Sequence, residues 1–339
     1  MPLSPLTLTR IKKFKTNKRA FISSIVFAFL FISTLLADLL ANDKPLYVYY
    51  EGKSFFPIFK FYSEKTFGGE FETQANFKDP FVKNLIAQKG FMVMPPIPFS
   101  YDTINYDLQE PAPASPTYDN WLGTDDQGRD VLARLLYGLR ISLVFGVCLT
   151  TISYVFGILA GAVQGYFGGK VDLYFQRFME VWGGLPILFL LIILSSMFVP
   201  NIYWLLGIMS LFSWMNLVGV VRAEFFKSRA LDYVRAAKAL GVPTSRIIWR
   251  HILPNAMVAS VTYIPFILNM SITTLTSLDF LGFGLPPGSP SLGELLTQGK
   301  NNIQAPWLGL TGFFSLSFVL SLLVFIGEGV RDALDPKKK

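Results

Sequence analysis

A helix needs about 20 mostly apolar residues to cross a bilayer. Six segments of the chain meet that length: residues 21–40, 141–163, 179–199, 203–221, 256–278 and 308–327. The second is preceded by an amphipathic lead-in from Asp130. Between the first and second runs, residues 41–120 change character: aromatic and polar residues mix, and Leu46 to Tyr50 alternate as a strand does. Glu51, Gly52 and Lys53 predict a tight turn into a second strand. Pro95, Pro96, Pro98, Pro111, Pro113 and Pro116 make the later part extended. The pattern predicts an all-α polytopic membrane protein of six transmembrane helices, with a small irregular extracytoplasmic insert between helices 1 and 2. Residues 1–40 form the N-terminus and first span, 41–120 the insert, and 121–339 a domain holding the other five spans.

Orientation follows from lysine and arginine, which concentrate in cytoplasmic loops. Residues 1–19 hold six bases and no acid, and residues 222–251 hold seven bases and two acids. The tail ends in three lysines. The turn at 200–202 has no base, and the loop at 279–306 has only Lys300. Both termini and the segment around Ala236 are therefore expected in the cytoplasm, with residues 41–130 outside. The long first apolar run and its basic leader favour a retained span over a cleaved signal peptide.

Composition sharpens this reading. Of 339 residues, 52% are hydrophobic and 16% charged, well below the roughly 25% charged of a soluble domain. The net charge of +7 fits basic cytoplasmic loops. The aromatic insert is net acidic, so it is no nucleic-acid face. The single cysteine, Cys148, excludes a disulfide framework and a cysteine-based metal site, and is expected to be a buried packing residue. Spans free of charge at their centres argue against a proton-coupled carrier, which needs titratable groups at membrane depth. Gly157, Gly161 and Gly165, four apart, predict close helix packing. The fifth span carries Pro265 and a run of hydroxyls and amides. Asn269, Thr273 and Thr276 are candidates to line a polar translocation path, and bonding within the helix is the plainer alternative.

Residues 226–255 predict two short helices around a turn at Gly241-Val242-Pro243-Thr244. Gly241 would end the first, Thr244 or Ser245 would cap the second, and the second would stop near Leu253 before Pro254. Here the chain resembles the permeases of binding-protein-dependent ABC importers. Their cytoplasmic loop carries Ala-Ala, three residues, Gly, and further on Leu-Pro: here Ala236, Ala237, Gly241, Leu253 and Pro254. The family's Glu before the alanines is Arg235, and His251 stands where Ile is common. The segments WLGTDDQGRDVLARLLYGLRISL (121–143), GYFGGKVD (165–172), RHILPNA (250–256) and RDALDP (331–336) are similar to oligopeptide and dipeptide permeases of the C type. ADLLANDKPL (37–46) and the insert narrow the likeness to permeases of microcin C-type peptide importers of Gram-negative bacteria.

The resemblance implies a type I ABC importer permease fold in a bacterial inner membrane, with no catalytic residue, metal or cofactor on this chain. Ala236, Ala237, Leu240, Gly241, Arg246, Leu253 and Pro254 would dock on an ATPase that holds ATP and Mg. Its other implied partners are a second, homologous permease, a periplasmic peptide-binding protein and membrane lipid. In keeping, the sequence has no GxxxxGK[ST] phosphate loop. The rival reading is an ion-coupled secondary transporter, which would show an inverted repeat or midplane ion ligands.

Overall fold

The Asn17 side chain accepts the Ala20 amide (3.3 Å) and so starts a new helix one residue after another ends. The two are a short basic helix, α1 (Pro5–Thr16), and the first apolar one, α2 (Lys18–Leu35). The structure, a computed structural model, describes residues 5–335. A further turn of helix, α3 (Ala37–Leu40), leads into the insert.

The insert is more regular than its prolines suggest. Strands β1 (Tyr47–Tyr50), β2 (Lys53–Phe55) and β3 (Gly90–Val93) form an antiparallel sheet in the order β2-β1-β3. Glu51 and Gly52 both have positive φ (47° and 80°), which a two-residue hairpin turn of matching twist requires. Val48 and Tyr50 point inward onto Phe67, Phe77 and helix α4 (Pro80–Lys89) through Val82 and Ile86. The partner of β1 on its other edge, β3, lies some forty residues on and is only four residues long, so local periodicity does not reveal it.

The second expected span and its lead-in are one rod, α5 (Val131–Phe167), capped by the Asp130 carboxylate on the Ala133 amide at 2.7 Å. Then follow α6 (Gly169–Gly183), α7 (Ile187–Met197), α8 (Ile202–Ser213) and α9 (Met215–Ser228). Shorter pieces come next: α10 (Asp232–Ala239), α11 (Thr244–Arg246), a π turn (Ile247–Ile252) and α12 (Leu253–Val261). The chain closes with α13 (Ile264–Phe280), α14 (Leu292–Asn301) and α15 (Pro306–Leu334).

Among the described residues, four helices are long and apolar enough to cross a membrane: α2, α5, α8 with α9 as Ile202–Ser228, and α15. The third and fifth expected spans are not straight. The α6–α7 pair bends by 62°, and the segment Thr244–Val261 bends against α13 by 54°. Six crossings result only if each bent pair is one span. Pro186 has no N–H and keeps Leu185 out of the helical region, after two glycines that resist bending least. Pro265 stands in the first turn of α13, where proline starts a helix and does not continue one. Cys148 is exposed, contrary to expectation: it lies on the side of α5 that no other element covers.

Gly157, Gly161 and Gly165 form the seam between α5 and α9. A Cβ on Gly161 would stand 2.7 Å from the Val221 Cβ and 2.9 Å from the Val218 carbonyl oxygen. Backbones this close gain dispersion contacts that side chains would prevent. Elsewhere α15 lies along α2, and α14 packs back onto α15.

Candidate coupling loop and membrane cleft

Helix α10 is held by one face. Val234 and Ala237, three apart, are buried against Ile247 and Ile252 of the π turn and Leu217, Val221 and Phe225 of α9. The remaining face is open. Its end is a Schellman motif: the Val242 amide donates to the Ala237 carbonyl and the Gly241 amide to the Lys238 carbonyl, both at 3.1 Å. Gly241 has φ +74° and open space around its Cβ position. The cap leaves Leu240 at the tip, 84% exposed. Tyr233 ties α10 to the π turn and α12, accepting a hydrogen bond from Asn255 Nδ2 at 3.0 Å and donating to the His251 carbonyl at 3.4 Å.

The second half of the loop departs from expectation. Pro243 precedes α11, and no side chain caps it, neither Thr244 nor Ser245. The helix does not stop at Leu253 but runs through Pro254 into α12. The π turn explains this: the Leu253 amide reaches back to the Ile248 carbonyl. That wider register tolerates a proline that can neither donate nor fit a normal turn. Of the expected docking residues, Ala236, Leu240, Gly241, Arg246 and Pro254 are exposed and Leu253 is half-buried. Ala237 faces the protein's own core, so its small size serves the approach of α10 to the π turn, not an outside surface.

A cleft of about 720 Å³ lies between the bent α6–α7 pair and helices α8, α9 and α13. Four of its lining residues are methionines: Met179, Met209, Met215 and Met270. Thioether side chains repack around varied shapes. Irregular backbone at membrane depth is tolerated where it is buried or lines a cavity, and the α6–α7 break lies beside this one. From α13 the cleft receives Ile267, Met270, Ser271, Thr274 and Leu278. The sequence candidates lie off that stripe. Asn269 donates to the Leu320 carbonyl of α15 (3.0 Å), Thr273 to the Asn269 carbonyl (2.9 Å), and Thr276 is buried. Hydroxyl content alone could not say which helix face meets the cavity.

At one end of the cleft Arg222 of α9 grips Asp172 of α6 with two bonds, Nε–Oδ1 at 2.5 Å and Nη2–Oδ2 at 2.7 Å. Nearby, Arg229 Nη1 donates to the Tyr166 carbonyl at 2.9 Å. The start of the loop, the end of α5 and the start of α6 are thus one block. Helix α6 buries no residue and α7 only Leu191, so both leave most of their surface uncovered by this chain.

A second polar centre escaped the sequence reading. Arg134, fully buried, lies 3.3 Å from Asp125 Oδ2 and 2.9 Å from Glu294 Oε2. It also donates to the Tyr101, Gly288 and Ser289 carbonyls. Arg129 shares the same two carboxylates. Burial pushes the Glu294 carboxyl up, against the pull of Arg134 and Arg129. The cluster pins α14 and the loop before it to the start of α5. The density of Asp and Arg between Asp125 and Arg134 was the available signal, but Glu294 is 160 residues away.

The family described as "binding-protein-dependent transport system inner membrane component" matches residues 153–339. An inner membrane ABC transporter permease protein, YejE, of Escherichia coli (strain K12) is 59% identical over 336 residues, 99% of this chain and 98% of that one. A peptidoglycan transport system permease protein, YejE, of Agrobacterium fabrum is 51% identical over 359 residues, 99% of this chain and 94% of that one. An oligopeptide transport system permease protein, OppC, of Haemophilus influenzae is 35% identical over 243 residues, 71% and 78% of the two chains. Among solved structures, a chain of the inward-facing MetNI methionine ABC transporter matches with a TM-score of 0.48 at 14% identity, over 59% of this chain and 96% of that one.

Proposed function

Since the chain belongs to the family of binding-protein-dependent transport inner-membrane components, it is a transmembrane permease subunit of an ABC importer, and we propose that it is one half of a heterodimeric channel carrying oligopeptides from periplasm to cytoplasm. The observation that carries this reading is the loop: a helix backed by α9 presents Leu240 and Gly241 to the outside, and α9 also lines the open cleft through Val218, Gly219 and Arg222. ATP and Mg belong to the ATPase, whose two nucleotide-binding domains grip the loops of the two permeases. Docking drives transport only if its contacts differ between the open and closed ATPase pair.

The peptide substrate draws support from relatives named for oligopeptide and peptidoglycan transport. Peptide antibiotics of the microcin C type fall within the same class. The second permease covers the bare faces of α6 and α7 and completes the path. On this reading the termini and residues 226–255 are cytoplasmic, and residues 41–130 are periplasmic, where a peptide-laden binding protein delivers its cargo. On this reading the cleft is part of the path and Met270, Ser271 and Thr274 of α13 line it, while Asn269, Thr273 and Thr276 lie off that stripe.

Two measurements test the reading. In mild detergent an ABC ATPase should co-purify with the chain, and the reconstituted complex should take up peptide only with ATP; uptake driven by an ion gradient without ATP would favour a secondary transporter. In a Cys148→Ser background, an impermeant thiol reagent should label Glu70→Cys in intact spheroplasts and Ser245→Cys only after lysis. Labelling of position 245 from outside reverses the topology.

A further inference from the structure

Arg222 is the only cation among the described residues that line the cleft, and Glu180 the only anion. Glu180 is satisfied by Arg177 at 2.5 Å on an exposed surface. Arg222 is held differently. Its Nε and Nη2 are fixed by Asp172, and its guanidinium lies 4.8 Å from the Phe226 ring. Asp172 is itself steadied by Gln176 at 3.2 Å. The fork therefore has one orientation, and Nη1 has no hydrogen-bond partner among the described residues. About a third of the side chain is exposed.

From these features we infer that Arg222 is a carboxylate subsite at the cytoplasmic end of the path, receiving a peptide carboxylate on Nη1 while Asp172 keeps the other edge. This rests on the peptide-permease reading. A peptide carboxylate moving along a methionine-lined cleft gives up water, and the preoriented donor restores a charge-assisted hydrogen bond before release. Because Asp172 already neutralises much of the positive charge, the hold is weak enough to be left, as a conduction site must be. The same protein shows that one guanidinium can serve two carboxylates: Arg129 and Arg134 each sit between Asp125 and Glu294. The carboxylate could come from the C-terminus of the peptide or from an acidic side chain.

The test uses the complete importer in proteoliposomes and three peptides: trialanine, trialanine amide, and Ala-Asp-Ala amide. Initial uptake rates are compared for wild type, Arg222→Gln and Asp172→Asn. Each rate is divided by the wild-type rate for the same peptide, which removes the binding protein's own preference. In Arg222→Gln the trialanine-to-amide ratio should fall about tenfold, on the scale of one charge-assisted hydrogen bond. Asp172→Asn breaks the same ion pair but keeps the guanidinium, so its ratio should stay at or above wild type. If Ala-Asp-Ala amide follows trialanine, any carboxylate is received; if it follows the amide, the site takes the C-terminus. Equal changes in both variants, or an unchanged ratio in Arg222→Gln, would reduce Arg222 to a structural tie and overturn the inference. Failure of the wild-type complex to move any of the three peptides would instead overturn the peptide reading.

Discussion

Placing a methyl group on Gly161 tests the seam on which the coupling loop rests. The new Cβ would stand 2.7 Å from the Val221 Cβ and 2.9 Å from the Val218 carbonyl oxygen, against the 3.5–4.0 Å of ordinary carbon contact. Neither atom belongs to a side chain that can swing away, so α5 and α9 must part by roughly 1 Å. Overpacking of this kind costs about 1–3 kcal/mol, and rigid neighbours put it in the upper part of that range. Replacing glycine by alanine returns at most about 1 kcal/mol of helix propensity. Gly161→Ala should therefore lose about 1–2 kcal/mol, read as a lowered thermal midpoint in detergent and weaker coupling of ATP hydrolysis to uptake. Gly207→Ala, where a Cβ meets nothing within 4 Å, serves as the matched control and should be neutral or slightly stabilising. If the two variants are equally stable, the glycine seam does not hold α9 in place.

Other outcomes follow from the charged groups and the loop. Arg134→Met leaves the buried Asp125 and the half-buried Glu294 to Arg129 alone; breaking a buried ion cluster on one side costs about 3–5 kcal/mol, so the protein should lose most of its folded yield, measurable by size-exclusion in detergent. In the insert, burial pushes the Lys78 ammonium down to about 8, although it lies 3.2 Å over the Phe99 ring, which favours the charged form. The folded state sheds this proton before the unfolded chain does, so stability of the insert should rise from about pH 8 towards the ordinary lysine range near 10.5. Lys78→Met should raise the midpoint at neutral pH and flatten that rise; an unchanged pH profile would show that Lys78 is not its source. Gly241→Asp puts a side chain at φ +74°, costing on the order of 1 kcal/mol. Abundance should stay normal while ATPase association or substrate-stimulated hydrolysis is lost, and wild-type transport by this variant would remove the loop from the coupling path.

The four unbroken crossings are legible in the sequence because length and apolarity are local properties. The glycine stripe was legible for the same reason: spacing of four marks one helix face, and that face did meet α9. The bends are not, since Pro186 and Pro265 lie inside apolar segments long enough to span, and whether a proline kinks a span depends on what packs beside it. In the loop, Gly241 announced a left-handed terminator, but the π turn that carries the helix past Pro254 has no sequence signature. The burial of Ala237 is not legible, because a small residue suits either a docking partner or the protein's own core. Polarity marks Asn269, Thr273 and Thr276, whereas the cavity is set by which stripe of α13 faces the bent α6–α7 pair. The Asp125, Arg129, Arg134 and Glu294 cluster joins chain segments too far apart for spacing to suggest.

Leu240 offers the most direct test of the central claim that this loop transmits the work of an ATPase. A benzoylphenylalanine photoprobe at position 240, the exposed tip of the Schellman-capped helix, should crosslink to the ATPase in the assembled importer. Its yield should differ between the nucleotide-free and ATP-trapped states. The same probe at Ile303, equally bare at 83% exposure but beyond α14, should not reach the ATPase. Crosslinking of position 240 to lipid alone, or to the ATPase no more than position 303 does, would contradict the account.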